Sequence, residues 1–494
     1  MSTVEKFLVL KQPKFHLNNV EKVNIQKIPP INATSFDSAG VYEFKRGKSS
    51  EGIRLSESYI EISFSYNTQT PAGTNLDNAD ITFENDVVSK LFDRAELRIG
   101  NYPIEVVELS NVATEMVGTV LYSTDEDRES GASMGWIPDF GAGSCELSLR
   151  GLVAALNKAI PGIAIVGNAV TSTTATFTNA NINFAIKNTD LSNVNQNGYE
   201  KRKIFYNKPQ TKLSGAAIQT ARTCTLCVPL YHFFQCVTSY DKVLKDLEFQ
   251  ILLTRTGQGV GRYVYSPVAD TSMTFITSSI HWVVPYYRLT VDGQTFMTKQ
   301  LNSKEEQEMI CLTRYCSKIS ASSTTGSLTY SLGTKANIPR YVLVAAKIVA
   351  FNATLGTTVT DTIKFNSSLF THGNVTDMRI SLGSETYPYL PLDTDFPNNK
   401  YSTPFMMFRQ FCKAMDVSPS IDFIDFRDRF TIFCFDLSAR KSFLDENSTT
   451  ESMNLSITRT GTNLDSVEFY VLQFLERHFI MNFASGIVSS QDRT

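Results

Sequence analysis

The chain has 494 residues, too many for one ordinary core, so two or more domains are expected. Lys and Arg total 46 against 49 Asp and Glu, a net charge of -3, which excludes strong electrostatic capture of nucleic acid or of an anionic membrane. Only 19% of residues are charged while 42% are hydrophobic, which excludes a disordered chain and a coiled coil.

The first residues, MSTVEKFLVLKQPKF, lack the apolar run and small-residue cleavage site of a secretory signal. Residues 1–30 read as a solvated arm with a mild lysine excess. With no export signal and eight sparse cysteines, the expectation is a reducing, intracellular compartment and no disulfide framework. The Asn-x-Ser/Thr triplets at Asn374 and Asn454 are then unused. At residues 58–66, Ile60, Ile62, Phe64 and Tyr66 alternate with polar neighbours, the period of a half-buried strand. Residues 95–99 repeat the pattern and end in the turn dipeptide Gly100-Asn101. Val106, Val107, Leu109, Val112, Met116, Val120 and Leu121 predict a helix over 106–122, placed in a loop between strands.

Residues 159–186 form the longest charge-free run, but Pro161-Gly162 and the polar string 171–174 deny it the roughly 20 apolar residues of a membrane span. Residues 169–197 are rich in Thr and Asn and predict a long surface loop; residues 317–331 read the same way. Strands follow at 247–253, 340–344, 378–382 and 430–435, with a second helix at 401–415. Gly257, Gly259, Gly261 and Pro267 mark a linker, so the junction is expected near residue 268. The organisation is then a 1–30 arm, a 31–267 first domain and a 268–494 second domain. Many short strands with long loops in each half make the fold all-β: a pair of β-sandwiches or jelly rolls in tandem with a few short helices in loops.

Candidate chemistry is sparse. Cys224 and Cys227 form a CxxC, but within a strand residues three apart point to opposite faces, and no second pair follows at zinc spacing. Asp125, Glu126 and Asp127 read as a solvated turn. Asp422, Asp425 and Asp428 straddle Phe423 and Phe426 as a hairpin edge. The Gly257–Gly261 run has the wrong spacing for a phosphate loop. His16, His232, His281, His372 and His478 are isolated, and neither HExxH nor GxSxG occurs. The expected catalytic, cofactor-binding and metal-binding sets are therefore empty, and the chain reads as a non-enzyme.

Several segments in order resemble one family. Residues 85–101 (NDVVSKLFDRAELRIGN) are similar to the strand pair that precedes an inserted helix in double jelly-roll major capsid proteins, most of all those of polinton and adintovirus-type, hexon-like elements. Val228-Pro229-Leu230, residues 239–243 and residues 252–255 resemble the end of their first roll. His281-Trp282-Val283-Val284-Pro285 looks like the segment that opens the second, with Val283 in place of a second Trp. Residues 338–342, 368–375, 387–388, 395–402 and 436–438 continue the series, which spans about 83–483; the Thr/Asn-rich insert matches nothing in it. The resemblance implies a homotrimer that forms pseudo-hexameric capsomers and tiles an icosahedral capsid around a DNA genome. It also implies contacts with neighbouring capsomers and with minor capsid proteins (penton, cement), no specific nucleic-acid site and no membrane span. Its place would be the virion capsid, assembled in the host cytoplasm or nucleus. A minor jelly-roll capsid or spike component, and a carbohydrate-binding β-sandwich, stay open as alternatives; the two tryptophans speak against the latter.

Overall fold

A computed structural model of the chain describes residues 20–32, 40–68, 81–123, 130–140, 163–166, 169–172, 197–207, 221–239, 242–256, 263–265, 273–303, 306–324, 326–333, 339–348, 366–382, 385–438, 452–460, 466–482 and 487–490. The first half carries β1 (Val20–Ile28), β2 (Val41–Arg46), β3 (Gly52–Arg54), β4 (Tyr59–Thr68), β5 (Thr82–Phe83), β6 (Phe92–Ile99), β7 (Tyr102–Glu108), β8 (Ile163–Val166), β9 (Ala169–Ser172), β10 (Ala221–Pro229), β11 (Val243–Leu244), β12 (Phe249–Arg255), β13 (Val264–Tyr265) and β14 (Met273–Leu289). Sheet I runs β10-β4-β14-β3-β11, with β1 on the free side of β14; sheet II runs β2-β12-β6-β7. Every pairing in the two sheets is antiparallel.

The second half carries β15 (Glu306–Ala321), β16 (Ser327–Gly333), β17 (Pro339–Ile348), β18 (Val375–Leu382), β19 (Glu385–Tyr387), β20 (Ile432–Asp436), β21 (Met453–Arg459), β22 (Val467–Asn482) and β23 (Ile487–Ser490). Sheet III runs β15-β22-β17-β20 with β23 beside β22, and sheet IV runs β16-β21-β18-β19. Each half is thus a two-sheet sandwich, and the fold is a double jelly roll of the all-β class. Side chains reach between facing sheets: Arg46 of sheet II lies 4.8 Å from the ring of Tyr286 in sheet I, and Tyr387 of sheet IV meets Phe435 of sheet III at 6.3 Å.

Alternation explains the strands. Ile60, Ile62, Phe64 and Tyr66 are all at most 3% exposed, because residues two apart in a strand share a face. The predicted strands at 58–66, 95–99, 247–253, 340–344, 378–382 and 430–435 fall within or beside β4, β6, β12, β17, β18 and β20.

β14, which begins just after the expected junction near 268, pairs with β4, β3 and β1 and so lies in sheet I. The Trp282 segment lies on β14, with Trp282 opposite Ile60 of β4, and the helix Val291–Ser303 follows it. The 1–30 arm ends in a paired strand, Val20 lying opposite Leu289 and Ile28 opposite Trp282. Most of 317–331 is strand rather than loop, since Ser and Thr suit the outward positions of β15 and β16. Ala169–Ser172 pairs with Ile163–Val166 and Asn197 begins a short helix, while residues 173–196 of the insert lie outside the described residues.

Two helices matter below. α1 (Ser110–Leu121) begins later than the 106–122 pattern, because Val106 and Val107 extend β7 and Leu109 turns the chain at a left-handed φ of 51°. It was expected in a loop, yet every residue from Ser110 to Val120 is buried. α2 (Ser402–Ala414) matches the 401–415 expectation closely.

Candidate functional site at the contact between the rolls

The first sandwich meets the second along β7, which lies beside β15 and β23, and along α1. Tyr102 of β7 meets Phe479 of β22 edge-on at 6.0 Å. The thiol of Cys412 on α2 donates to the Val120 carbonyl at the end of α1, and Ser123 bridges to Pro419.

Charged groups that a core ordinarily excludes concentrate at this contact. Glu115, on α1, pairs with Lys90 of the first sandwich at 3.3 Å and with Lys347 of β17 at 2.6 Å. Lys90 also binds Glu84, and it donates to the hydroxyls of Ser367 and Ser368 at 2.7 and 2.8 Å. Glu84 accepts from the Ser367 amide at 2.9 Å and from its hydroxyl. Lys347 donates to the Ser367 carbonyl at 2.6 Å and stands 4.8 Å over the Phe370 ring. Two carboxylates and two ammoniums, drawn from both rolls, therefore balance one another.

Burial pushes the Glu115 carboxyl up, but the ammoniums of Lys347 and Lys90 outweigh it and hold it below the usual carboxylate range. Burial likewise lowers Lys90, and Glu115 and Glu84 overcome this to raise it. For Lys347 burial wins, with Lys90 adding to it, and its ammonium is the more easily discharged of the pair.

A second cluster lies on β7. Glu105, 1% exposed, accepts from the amides of Gln235, Cys236 and Arg314 at 3.1, 2.8 and 2.9 Å. The Arg314 guanidinium of β15 lies 3.5 Å from the same carboxylate and donates to the Tyr231 and His232 carbonyls at 3.3 and 3.1 Å. A third joins Arg202 to Asp139 at 3.1 Å, and Asp139 accepts from Asn366 of the second sandwich at 2.7 Å. Breaking one member of such a buried pair costs about 3–5 kcal/mol, so separating the rolls at Glu115–Lys347 or Glu105–Arg314 carries a penalty of that order.

The residues singled out from sequence are not brought together. Cys224 and Cys227 lie on β10 opposite Phe64 and Glu61, on opposite faces. Burial pushes the Cys224 thiol up to about 12. Asp422 caps a short helix, Phe423–Asp428, accepting from the Ile424 and Asp425 amides at 2.8 and 2.7 Å; it is not a hairpin edge. His232 contacts Asp86 at 2.9 Å and Tyr122, all within the core. His281 faces Glu61 at 4.0 Å, His372 stacks on Phe396 at 4.6 Å, and His478 meets Glu476 at 3.1 Å. His16, Asp125, Glu126, Asp127 and the 257–261 glycines lie outside the described residues. Among the described residues no group of three or more His, Cys, Asp or Glu is placed to hold a metal, and no helix is long and apolar enough to cross a membrane.

Sequence reasoning passed over Glu84, Lys90, Glu105, Glu115, Arg314 and Lys347. One signal was available: Glu115 interrupts the apolar residues Val112, Met116, Val117 and Val120 of a helix that otherwise reads as core.

The family model of the double jelly roll-like domain matches residues 180–460, more than half the chain. The chain belongs to this family. None of the curated proteins matches it. Among solved structures, a chain in the cryo-EM structure of the Sputnik virophage superposes with a TM-score of 0.57 at 10% identity, covering 96% of this chain and 90% of that one. The mavirus major capsid protein gives 0.49 at 12% identity, covering 94% and 90%, and a chain of the PBCV-1 virus capsid gives 0.48 at 10%, covering 96% and 97%. The Sputnik likeness extends the family's fold over residues before 180 and after 460, which the family model leaves unmatched.

Proposed function

We propose that this chain is a major capsid protein, a structural subunit without catalytic activity. In this reading three copies associate into a capsomer of six similar rolls, and capsomers tile an icosahedral shell around a DNA genome. The observation that carries it is the pair of jelly rolls held in fixed register by buried charge clusters, within a family whose fold the Sputnik virophage chain shares. A lattice unit must present the same edges in every copy, and a hinge between rolls would defeat that.

The surface supports the same reading. Net charge is -3 and aromatics reach 11%, so subunits approach one another with little repulsion and with the residues that protein contacts favour. Tyr389 and Leu390, adjacent in the chain, are 80% and 71% exposed. The partners are then two further copies, neighbouring capsomers, and minor capsid proteins. The location is the virion capsid after assembly in host cytoplasm or nucleus. The first roll ends with β14 and the second begins with β15. Light scattering on the purified chain is expected to give three times the 55.1 kDa chain mass, and a monodisperse monomer at micromolar concentration would contradict the reading.

A further inference from the structure

We propose that Glu115 is an acid-released latch between the rolls: one carboxylate holds a lysine from each roll, and its neutralisation opens the contact while both sandwiches stay folded. The geometry points there because, of the two carboxylates in the buried cluster Glu84, Lys90, Glu115 and Lys347, Glu115 is the one that pairs with ammoniums of both rolls, Lys90 at 3.3 Å and Lys347 at 2.6 Å. Glu84 pairs with Lys90 alone among those ammoniums. Protonating Glu115 therefore leaves two buried ammoniums facing one carboxylate, an uncompensated charge at the contact itself. The interiors of the sandwiches, by contrast, are built on apolar strand faces such as Ile60, Ile62 and Phe64, or Val342 and Val344, whose burial does not depend on pH.

The charged surroundings of Glu115 are few. The turn Ser89–Leu91 supplies Lys90, β17 supplies Lys347, and the residue after β5 supplies Glu84. At the far end of α1 His232 is engaged with Tyr122 and Asp86, and on β7 and β15 Glu105 and Arg314 engage each other. The sign follows from the two ammoniums. They hold Glu115 below its ordinary 4.5, so its stabilisation is complete above pH 4.5 and is lost as pH falls through the lower, folded value.

Hydrogen-exchange mass spectrometry of the full-length protein, stepped downward in pH and corrected for intrinsic rates, tests this. Peptides carrying the Ser367 amide, bound across the contact to Glu84, and the Arg314 amide, bound across it to Glu105, report the contact. Peptides from β4 and β17 report the sandwiches. Below pH 4.5 the contact peptides are expected to lose protection by about tenfold or more while β4 and β17 keep theirs. Loss of both sets together at every pH overturns the latch. Glu115→Gln should have an open contact already at neutral pH. Glu115→Gln with Lys347→Gln removes one charge of each sign, leaves Glu84 with Lys90, and should show no acid step. An acid step unchanged in that double variant would assign it to Glu84, Glu105 or Asp139 and overturn the role given to Glu115. None of these readings depends on assembly, so they stand or fall apart from the capsid proposal.

Discussion

Gly118 sits in the middle of α1, where replacement by alanine ordinarily stabilises a helix by about 1 kcal/mol. Here the opposite is expected. A Cβ at Gly118 would lie 2.5, 2.7 and 2.9 Å from three atoms of the Trp136 ring, about 1 Å inside ordinary carbon contact. That ring is fully buried and cannot swing aside, because Tyr122, His232 and Phe140 pack around it at 5.2, 6.2 and 6.4 Å. Overpacking costs about 1–3 kcal/mol and more when the neighbour is rigid, so Gly118→Ala should be destabilising by about 1–2 kcal/mol net. Gly118→Val should cost more, since its χ1 choices in a helix are few. Denaturant unfolding reads the effect as a lower midpoint at unchanged slope. Trp136→Phe makes room, so the double variant should be less destabilised than the sum of the singles by about 0.5–3 kcal/mol. A midpoint that rises for Gly118→Ala would refute the close packing of α1 on Trp136.

Glu105→Gln keeps the shape but removes the charge that three amides and Arg314 address; it should cost about 3–5 kcal/mol in the same assay. Seven of the eight cysteines are free thiols in the structure, and burial raises Cys224, Cys316 and Cys412 to about 12. At pH 8 their thiolate fraction is then about one in ten thousand, so alkylation of these three in the native protein should be slow and should become fast on unfolding. No stoichiometric zinc is expected in elemental analysis, and Cys224→Ser with Cys227→Ser should cost about 1–3 kcal/mol. Replacing residues 173–196 with a short Gly/Ser linker should leave folding and the proposed trimer intact, because closure entropy grows only with the logarithm of length; aggregation of that variant would contradict it.

The strands were legible because a sandwich buries one face of each, and residues such as Ile60, Ile62 and Phe64 alternate accordingly. The helix α1 was legible as a helix but not as core: its polar residues, Asn111, Thr114 and Glu115, look like a solvated stripe, yet all three are buried, with Asn111 donating to Asp93 of the first roll and Glu115 paired with Lys347 of the second. Charges carry the same ambiguity. Lys90, Lys347 and Arg314 read as surface in a sequence; for Lys347 and Arg314 only the meeting of distant segments supplies the carboxylates that let them be buried. The pairing of β14 was hidden for a related reason. A glycine-rich stretch reads as a boundary, but the 17 residues of β14 after it find their partners more than two hundred positions earlier, in β1, β3 and β4. Asp422 was mistaken because a carboxylate that caps a helix and one on a hairpin edge have the same local spelling.

Electron microscopy of the purified full-length protein, imaged both as free particles and after concentration, addresses the central claim most directly. The capsid account predicts three-fold particles with a near-hexagonal outline, formed from six similar rolls, that pack side by side into hexagonal arrays. Particles of single two-lobed chains, with no three-fold averages and no arrays at any concentration, would contradict it.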